Sequence, residues 1–420
     1  MAYLPLLALL ALSSLLRSTS PAPAGLQLSL THVDAGSPFT FTERVRRAAQ
    51  RSRHRREVLE ARLANSSGDI EVPITSSKFE YKLEFAIGSP ELKVTAILDT
   101  GSELVWTQCR PCDPCVQQST PVYDPSNSSS FSRLPCTSPL YDYQVFKRFD
   151  PPTCHYAYGY GSGATQGVLA METFTFGTKS VSNITFGCSK QSKGNFAGTS
   201  GIVGFGRGNL SLISQLGFGK FSYCLTSFNS SSSSHLRLGS LETLNGTPGR
   251  VQSTPFLGDT NLYRVSLRGI SLGEALLPIP NATFEHRRDE LSGTVIDSGT
   301  GQTQLPKPVY EIVKQRITSL VGLPVVDLSS TIGLDLCFSV SSWPPPPVPD
   351  MTFHFDNADM TIPPANYMYA DQNAGSFCLV MQMSESNLTI VGNYQQQNMH
   401  VVYDVAGRML SFIPARCDDF

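Results

Sequence analysis

Two stretches of the chain place an aspartate directly after a short apolar run and follow it with hydroxyl residues and a glycine. They are AILDTGS at residues 96–102 and TVIDSGT at residues 294–300. The aspartates, Asp99 and Asp297, are 198 residues apart. A single Asp-Thr-Gly is a weak signal because Asp and Gly are common in turns. Two copies with matching flanks indicate a pair of carboxylates that share one site.

The repeat continues downstream of each aspartate. An Ile-Val-Gly triplet ends 105 residues after Asp99, at Gly204, and another ends 95 residues after Asp297, at Gly392. A repeat of this length predicts two similar lobes, each presenting one aspartate. The alternative is a duplicated β-domain whose aspartates only cap turns.

Two carboxylates at close range cannot both ionise easily, so one proton is shared between them. The ionised member takes a proton from a bound water while the protonated member donates to a substrate carbonyl. This chemistry hydrolyses an amide without a covalent intermediate, a metal or a cofactor. The glycines let the backbone turn beside the carboxylates, and nearby hydroxyls can hold them in place. The loop residues in these roles are Thr100, Gly101, Ser102, Ser298, Gly299 and Thr300.

Composition limits the classes of function. A chain of 420 residues can form two substantial cores, and a net charge of −2 with 16% charged residues does not suggest a nucleic-acid partner. Residues 4–16 are largely apolar but too few to cross a bilayer, and a small-residue Ala-Pro-Ala follows at 22–24. We therefore expect residues 1–24 to be a signal peptide and expect no membrane anchor.

Ten cysteines, all from Cys109 onward, indicate a disulfide framework formed in an oxidising compartment. The spacing of Cys109, Cys112 and Cys115 could also hold zinc, but only His155 lies near as a further ligand, so disulfides are favoured over a metal. Asn-x-Ser/Thr sequons point to the same compartment. They start at Asn65, Asn127, Asn183, Asn209, Asn229, Asn245, Asn281 and Asn387.

Residues 25–67 differ from the rest of the chain. They contain eight basic and four acidic residues, with seven arginines between residues 44 and 56, whereas residues 68–420 contain 23 basic and 30 acidic residues. The segment is either a solvated basic tail or a cleavable propeptide. The order of signal peptide, basic helix-forming segment and acidic body favours the propeptide. We expect it to cover the aspartates at neutral pH, to leave on acidification, and to end near residues 66–71.

From residue 79 onward, short alternating or apolar runs are separated by Gly, Pro, Ser and Asn, which predicts a mostly β protein. Helices are expected at residues 210–216 and 308–321. The predicted lobe boundary lies at about residue 250, which gives an N-terminal lobe at 68–250 and a C-terminal lobe at 251–420.

Several motifs together resemble the pepsin-like aspartic proteases, and most closely the plant nepenthesin-type branch. Besides the two aspartate loops they are the sequences ELVWTQC at 103–109, YGYGS at 158–162, GIVGFGRG at 201–208, FSYCL at 221–225 and IVGNYQQQN at 390–398. The resemblance covers the chain from about residue 75 to its end. It departs from the family pattern at Glu103 and Gly301, neither of which is a reacting group.

The resemblance implies a bilobal β fold, with a cleft that binds an extended peptide or protein substrate. It makes Asp99 and Asp297 the catalytic dyad, and it makes Tyr158 and Gly159 part of a flap that closes over substrate. Trp106 is expected to hydrogen-bond Tyr158. Read without the family, residues 158–163 are a glycine-rich hairpin. A monomer is expected, secreted to the cell wall or apoplast, with the vacuole as a second destination.

The resemblance also implies a disulfide pattern, which the sequence alone cannot supply for ten cysteines. The implied pairs are Cys109–Cys112, Cys115–Cys188, Cys136–Cys154, Cys224–Cys417 and Cys337–Cys378.

Two other classes of function compete with a secreted endopeptidase. One is a catalytically silent relative that acts as a binding or inhibitor protein, which the loss of an aspartate or of the flap tyrosine would favour. Neither residue is lost. The other is a two-carboxylate glycosidase, which would need a sugar cleft lined by tryptophans. The chain has two tryptophans.

Overall fold

The structure is a computed structural model that describes residues 25–35, 38–63, 81–140, 149–150, 153–160, 163–228, 230, 232–239, 251–258, 260–286 and 292–419. The predicted signal peptide and the predicted processing site at 66–71 lie outside these residues. So do the sequons at Asn65, Asn229 and Asn245.

Strands dominate the described residues, as the sequence predicts. Their bounds are β1 Leu26–His32, β2 Tyr81–Ile87, β3 Leu92–Asp99, β4 Trp106–Gln108, β5 Ser132–Arg133, β6 Phe149–Asp150, β7 Thr153–Tyr160, β8 Gly163–Phe176, β9 Lys179–Gly194, β10 Gly201–Gly204, β11 Lys220–Cys224, β12 Ser234–Leu238, β13 Gln252–Pro255, β14 Arg264–Val265, β15 Leu267–Leu272, β16 Ala275–Leu276, β17 Ser292–Ile296, β18 Thr303–Pro306, β19 Val325–Leu328, β20 Leu334–Ser339, β21 Met351–Phe355, β22 Ala358–Ile362, β23 Met368–Asp371, β24 Ser376–Leu379, β25 Met381–Ser384, β26 Asn387–Val391, β27 Met399–Asp404 and β28 Met409–Pro414. The α-helices of the described residues are α1 Phe41–Leu63, α2 Leu212–Leu216 and α3 Lys307–Val321.

The strands form a bilobal arrangement. One long sheet has the order β13-β28-β27-β11-β12-β1-β2-β3-β10-β4-β9-β8-β7-β6 and so joins strands from both halves of the chain. The C-terminal half adds three smaller sheets, ordered β14-β17-β26-β18-β25, β16-β15-β21-β22 and β19-β20-β24-β23. Inward-facing apolar side chains of these strands form a continuous core.

The repeat seen in the sequence is a repeat in the structure. β3, which ends at Asp99, pairs in parallel with β10, and Gly204 lies opposite Asp99. In the second half β17 pairs in parallel with β26, and Ile296 lies opposite Val391. The two triplets form strands, as predicted, and the structure adds that each one flanks the buried strand that ends at or just before an aspartate.

Both helices predicted after residue 200 are present. α2 begins at Ser211, whose side chain accepts from Ser214 N, and ends at Gly217 in the left-handed conformation (φ 68°). α3 has a proline in its first turn and ends at Gly322 (φ 64°). Its apolar face, which includes Val313 and Ile317, is buried.

The basic segment is folded, which contradicts the interpretation as a solvated tail. β1 lies between β2 and β12 as a strand of the long sheet, which the sequence did not indicate. α1 begins with a reciprocal cap, in which Thr40 N donates to Glu43 Oε2 at 2.8 Å and Glu43 N donates to Thr40 Oγ1 at 3.2 Å. α1 therefore runs for 23 residues, from Phe41 to Leu63.

Two of the five expected disulfides are wrong. The pairs Cys109–Cys112 and Cys115–Cys188 do not form; Cys109 bonds Cys188, and Cys112 bonds Cys115. β4 pairs in parallel with β9, and Cys109 N donates to Ser189 O at 2.9 Å, so the end of β4 brings Cys109 beside Cys188. Cys112 is left to bond Cys115, with Cα atoms 5.5 Å apart. Because all three motif cysteines are in disulfides, none is a zinc ligand.

The other three disulfides, Cys136–Cys154, Cys224–Cys417 and Cys337–Cys378, are those that the resemblance implies. Within the described residues, no helix has the length and apolar character needed to cross a membrane.

Candidate active site

The two aspartate loops meet where the lobes join, and their hydrogen bonds match. Asp99 Oδ1 accepts from Gly101 N at 2.9 Å, and Asp297 Oδ1 accepts from Gly299 N at 2.8 Å. The second oxygen of each carboxylate accepts from a hydroxyl three residues on, Ser102 for Asp99 and Thr300 for Asp297. Both aspartates are buried, at 1% and 0% exposure. The loop residues thus hold the two carboxylates in equivalent environments.

The loops also bond to each other across the lobe boundary. Thr100 N donates to Ser298 Oγ at 3.1 Å, and Ser298 N donates to Thr100 Oγ1 at 2.8 Å. Both bonds join backbone to side chain on opposite lobes, so they fix the relative position of the two loops.

Glycine is required beside each carboxylate because the opposite aspartate is so close. A Cβ on Gly101 would lie 2.7 Å from Asp297 Oδ1, and a Cβ on Gly299 would clash with Asp99 Oδ1. The absence of side chains at Gly101 and Gly299 therefore lets the two carboxylates face each other across the loops.

Arg55 of α1 lies between the two carboxylates. Its Nη2 is 2.5 Å from Asp99 Oδ1, its Nε is 3.2 Å from Asp297 Oδ2, and its side chain is 6% exposed. Burial alone would lower the pKa of Arg55, but the charges of Asp99 and Asp297 outweigh burial and raise that pKa. The guanidinium therefore stays charged in the space between the two carboxylates.

α1 is attached along the C-terminal side of the cleft by further contacts. Thr42 Oγ1 lies 3.0 Å from the hydroxyl of Tyr369 and donates to Asp371. Ser52 Oγ accepts from Gln302 N at 2.8 Å. Arg56 Nη1 donates to Met383 O at 3.0 Å. The helix thus contacts the C-terminal half of the chain at positions from Thr42 to Arg56.

The expected flap is a hairpin of β7 and β8, in which Gly159 pairs with Ala164 and Tyr160 with Gly163. Tyr158 is half-buried, and its hydroxyl is close enough to Arg55 to interact electrostatically with the guanidinium. The hairpin therefore lies beside the aspartates, and α1 contacts its first strand.

The hydrogen bond expected between Trp106 and Tyr158 is absent. Trp106 Nε1 is buried and has no hydrogen-bond partner among the described residues. The Trp106 ring packs against Phe196 at 4.8 Å and Tyr160 at 6.0 Å, measured between ring centroids. Tyr158 in turn packs on Tyr160 at 5.1 Å. The physical reason is that Tyr160 lies next to the indole while Tyr158 lies near Arg55.

Sequence reasoning predicted a basic helix over the cleft but did not single out Arg55 among seven arginines. Helical spacing was a usable signal. Val45, Ala49 and Ser52 form a stripe of small or apolar residues, and all three are buried. Small side chains let a helix approach a surface closely, and the stripe points to Arg55 or Arg56, three and four residues after Ser52, without choosing between them.

Two family models match the chain: "Xylanase inhibitor N-terminal" over residues 81–240 and "Xylanase inhibitor C-terminal" over residues 262–414. Aspartic proteinase nepenthesin-1 of Nepenthes gracilis is 43% identical over 94% of this chain and 90% of its own length. Aspartic proteinase nepenthesin-2 of the same organism is 42% identical over 94% and 91%. Aspartyl protease family protein 2 of Arabidopsis thaliana is 33% identical over 94% and 86%.

Among solved structures, "Crystal structure of edgp" matches with a TM-score of 0.63 and 19% identity, and the match covers 82% of this chain and 94% of that one. At this identity the match shows the fold alone, a bilobal β architecture. The identities to the nepenthesins extend over nearly the whole chain. The chain therefore belongs to the pepsin-like aspartic proteases of the plant nepenthesin type and is an aspartic-type endopeptidase.

Proposed function

We propose that this chain is the inactive precursor of an acid-acting aspartic endopeptidase whose dyad is Asp99 and Asp297. One observation carries the proposal: two carboxylates 198 residues apart in sequence are held in matching hydrogen bonds and bridged by the single guanidinium of Arg55. A pair of aspartates that only capped turns would have no reason to be buried together under a cation.

Once Arg55 has left, the two carboxylates face each other without a cation. Like charges at this range favour one shared proton. The ionised aspartate takes a proton from a water, and the water attacks the scissile carbonyl while the protonated aspartate donates to the carbonyl oxygen. Gly101 N, Gly299 N and the hydroxyls of Ser102 and Thr300 hold the carboxylates. We assign Tyr158 and Gly159 to the flap that covers the substrate.

The arrangement at Arg55 supports a pH-controlled precursor. Because the pKa of Arg55 is raised, its charge does not change on acidification. The change must therefore fall on acidic side chains rather than on Arg55, because a protonated carboxyl group no longer attracts a guanidinium. Docking of α1 is intramolecular while residues 25–67 remain attached, so modest contacts suffice at neutral pH.

Secretion as a monomer to the cell wall or apoplast is part of this proposal. Ten cysteines in five disulfides suit an oxidising compartment. Four sequon asparagines are exposed and accessible to glycosylation: Asn127, Asn183, Asn209 and Asn387. The vacuole remains the second destination.

The competing proposal, a silent binding or inhibitor protein, has one observation in its favour: the family models carry the description of xylanase inhibitors. The presence of both aspartates, both glycines and the flap tyrosine favours the enzyme. An inhibitor would have no need for a cation that blocks the dyad.

The test is hydrolysis of a denatured protein by the purified chain from residue 25 at about pH 4, where carboxylates begin to protonate. Activity that a statine-type inhibitor blocks, and that Asp99→Asn and Asp297→Asn each remove, is the expected result. An acid-treated, processed chain without any hydrolysis would overturn the enzyme and support the binding protein.

A further inference from the structure

Three glutamines lie side by side beneath α1, on the C-terminal wall of the cleft. β18 pairs in parallel with β25, and Gln304 is directly opposite Gln382. Gln302 comes directly before β18, and its N–H donates to Ser52 Oγ of α1 at 2.8 Å, which places it beneath the same stretch of the helix. All three are buried, at 0%, 0% and 4% exposure for Gln302, Gln304 and Gln382. We call this set the glutamine row.

α1 satisfies only part of the hydrogen-bonding capacity of the glutamine row. Gln304 Nε2 donates to Ser52 O, and Gln382 Nε2 donates to Ala49 O at 2.6 Å. Oε1 of Gln304, Oε1 of Gln382 and both amide atoms of Gln302 are buried without a partner among the described residues. Such groups are costly because they have lost water and gained nothing in return.

The mismatch follows from helix geometry. The N–H groups in the interior of a helix are committed to carbonyls four residues earlier, so α1 can offer the glutamines carbonyl acceptors but no backbone donors. The unpaired oxygens of the glutamine row need N–H or O–H donors. A ligand that suits the glutamine row must therefore supply such donors, and it would bind in the space that α1 fills in this structure.

The position of the row relative to the dyad follows from α1. Ser52 and Ala49 precede Arg55 by three and six residues, about 4.5 and 9 Å along the helix axis at 1.5 Å per residue. Arg55 marks the dyad and hence the scissile bond. An extended substrate advances about 3.3 Å per residue, so the glutamine row lies about one to three residues from that bond.

We propose that Gln302, Gln304 and Gln382 form a substrate subsite that recognises amide groups, which supply both a donor and an acceptor. It deepens the proposed endopeptidase function and rests on it. The amide comes from a Gln or Asn side chain of the substrate one to three residues from the scissile bond, or from the substrate backbone at the same place. Both sources offer the N–H that α1 withholds.

The experiment measures kcat/KM of the processed enzyme on one cleavable peptide whose residues one to three positions to either side of the scissile bond are varied singly. Gln is compared with norleucine of similar length, and a second set carries N-methylated backbone amides at the same positions. The variants are Gln304→Met and Gln382→Met, which keep length and remove the amide. Gln252→Met is the matched control. Gln252 lies on β13 of the long sheet, not on the sheet that contains β18 and β25, and its side chain accepts a hydrogen bond from Asp359 N.

At one of the varied positions we expect the kcat/KM of the wild-type enzyme to be about tenfold higher for Gln than for norleucine, or about tenfold higher for the unmethylated than for the N-methylated peptide. A tenfold ratio corresponds to about 1.4 kcal/mol of transition-state binding. A preference for Gln over norleucine identifies a substrate side chain as the source of the amide. A preference for the unmethylated peptide identifies the substrate backbone as the source. Gln304→Met and Gln382→Met bring the ratio close to one, and Gln252→Met leaves it unchanged. Thermal unfolding and titration with a statine-type inhibitor confirm that each variant is folded with an intact dyad.

Equal kcat/KM for all peptides, or a ratio that survives both cleft variants, overturns the subsite while leaving the endopeptidase intact. A processed wild-type enzyme that cleaves none of the peptides and no denatured protein overturns the proposed function itself. The two failures are therefore distinguishable.

Discussion

Arg55 donates from Nη2 to Oδ1 of Asp99 at 2.5 Å, and both side chains are almost fully buried. The same guanidinium reaches Asp297, so one cation attracts two carboxylates that would otherwise repel each other. Removing one partner of a buried ion pair leaves a charge uncompensated, which is far more costly than losing a surface pair. In the proposed precursor, α1 is thus held most firmly at the proposed dyad.

Asp99→Asn and Asp297→Asn in the processed enzyme are each expected to reduce kcat to below a few per cent of wild type, because each carboxylate has a separate proton role. The measurement is the rate of hydrolysis of a fluorogenic peptide. Asp356→Asn is the matched control, since Asp356 pairs with the exposed Arg268. Substantial turnover in either variant would contradict the assignment of Asp99 and Asp297 as the catalytic dyad.

Acidification is expected to release α1. The pKa of Asp371 is affected first by burial, which raises it, but hydrogen bonds from Thr42 and Tyr369 outweigh burial and lower it. A carboxyl group whose pKa is lowered in the docked state stabilises docking at pH values above its ordinary pKa. That stabilisation is lost as the pH falls through the lowered pKa. Arg55 has a raised pKa, so its own charge does not change in the acid range. The mass of the chain and its peptidase activity should stay constant at pH 7. At about pH 4 the mass should fall and the activity should rise together.

Asp371→Asn should move the midpoint of this conversion to higher pH, because the variant lacks the charge that favours docking of Thr42. The midpoint is read from the mass of the chain after timed incubation across the pH range. Asp404→Asn is the control, since Asp404 ends β27 of the long sheet and pairs with Lys220. A midpoint unchanged in Asp371→Asn would contradict a role for the Thr42 contact.

The revised disulfides are checked by mass mapping of a non-reduced digest, which should link Cys109 to Cys188. The stabilities should differ as well. Loops closed over separations of 79 and 3 residues correspond to roughly 4–5 and about 2 kcal/mol of chain entropy. Replacing Cys109 and Cys188 by Ser should therefore lower the free energy of unfolding more than replacing Cys112 and Cys115. A digest that links Cys115 to Cys188 would refute the pairing.

Patterns that lie within one element were readable from the sequence. The apolar runs before Asp99 and Asp297 predicted buried strands, and the Ile-Val-Gly triplets predicted the strands that flank them. The helix at residues 307–321 was readable from Pro308 in its first turn. Each of these depends on local spacing and on the conformational preferences of Gly and Pro.

Features that depend on contacts between distant segments were not readable. Cys109 lies beside Cys188 because β4 pairs with β9. β1 belongs to the long sheet because it pairs with both β2 and β12, which are distant from it in the sequence. Arg55 differs from its neighbouring arginines only in facing the dyad. The Trp106 indole lost its expected contact because Tyr160 packs beside it.

The central claim is that Arg55 keeps the dyad of the precursor closed. The most direct measurement is the rate at which a statine-type inhibitor binds the unprocessed chain at about pH 5.5, above the ordinary carboxylate pKa, with mass confirming that it is intact. Arg55→Gln is compared with Arg46→Gln, which removes the same charge from an exposed position of α1. We expect binding at least tenfold faster in Arg55→Gln than in wild type or Arg46→Gln, with the free energy of unfolding lowered by about 3 kcal/mol. Equal binding rates in the wild-type precursor and Arg55→Gln would contradict the account.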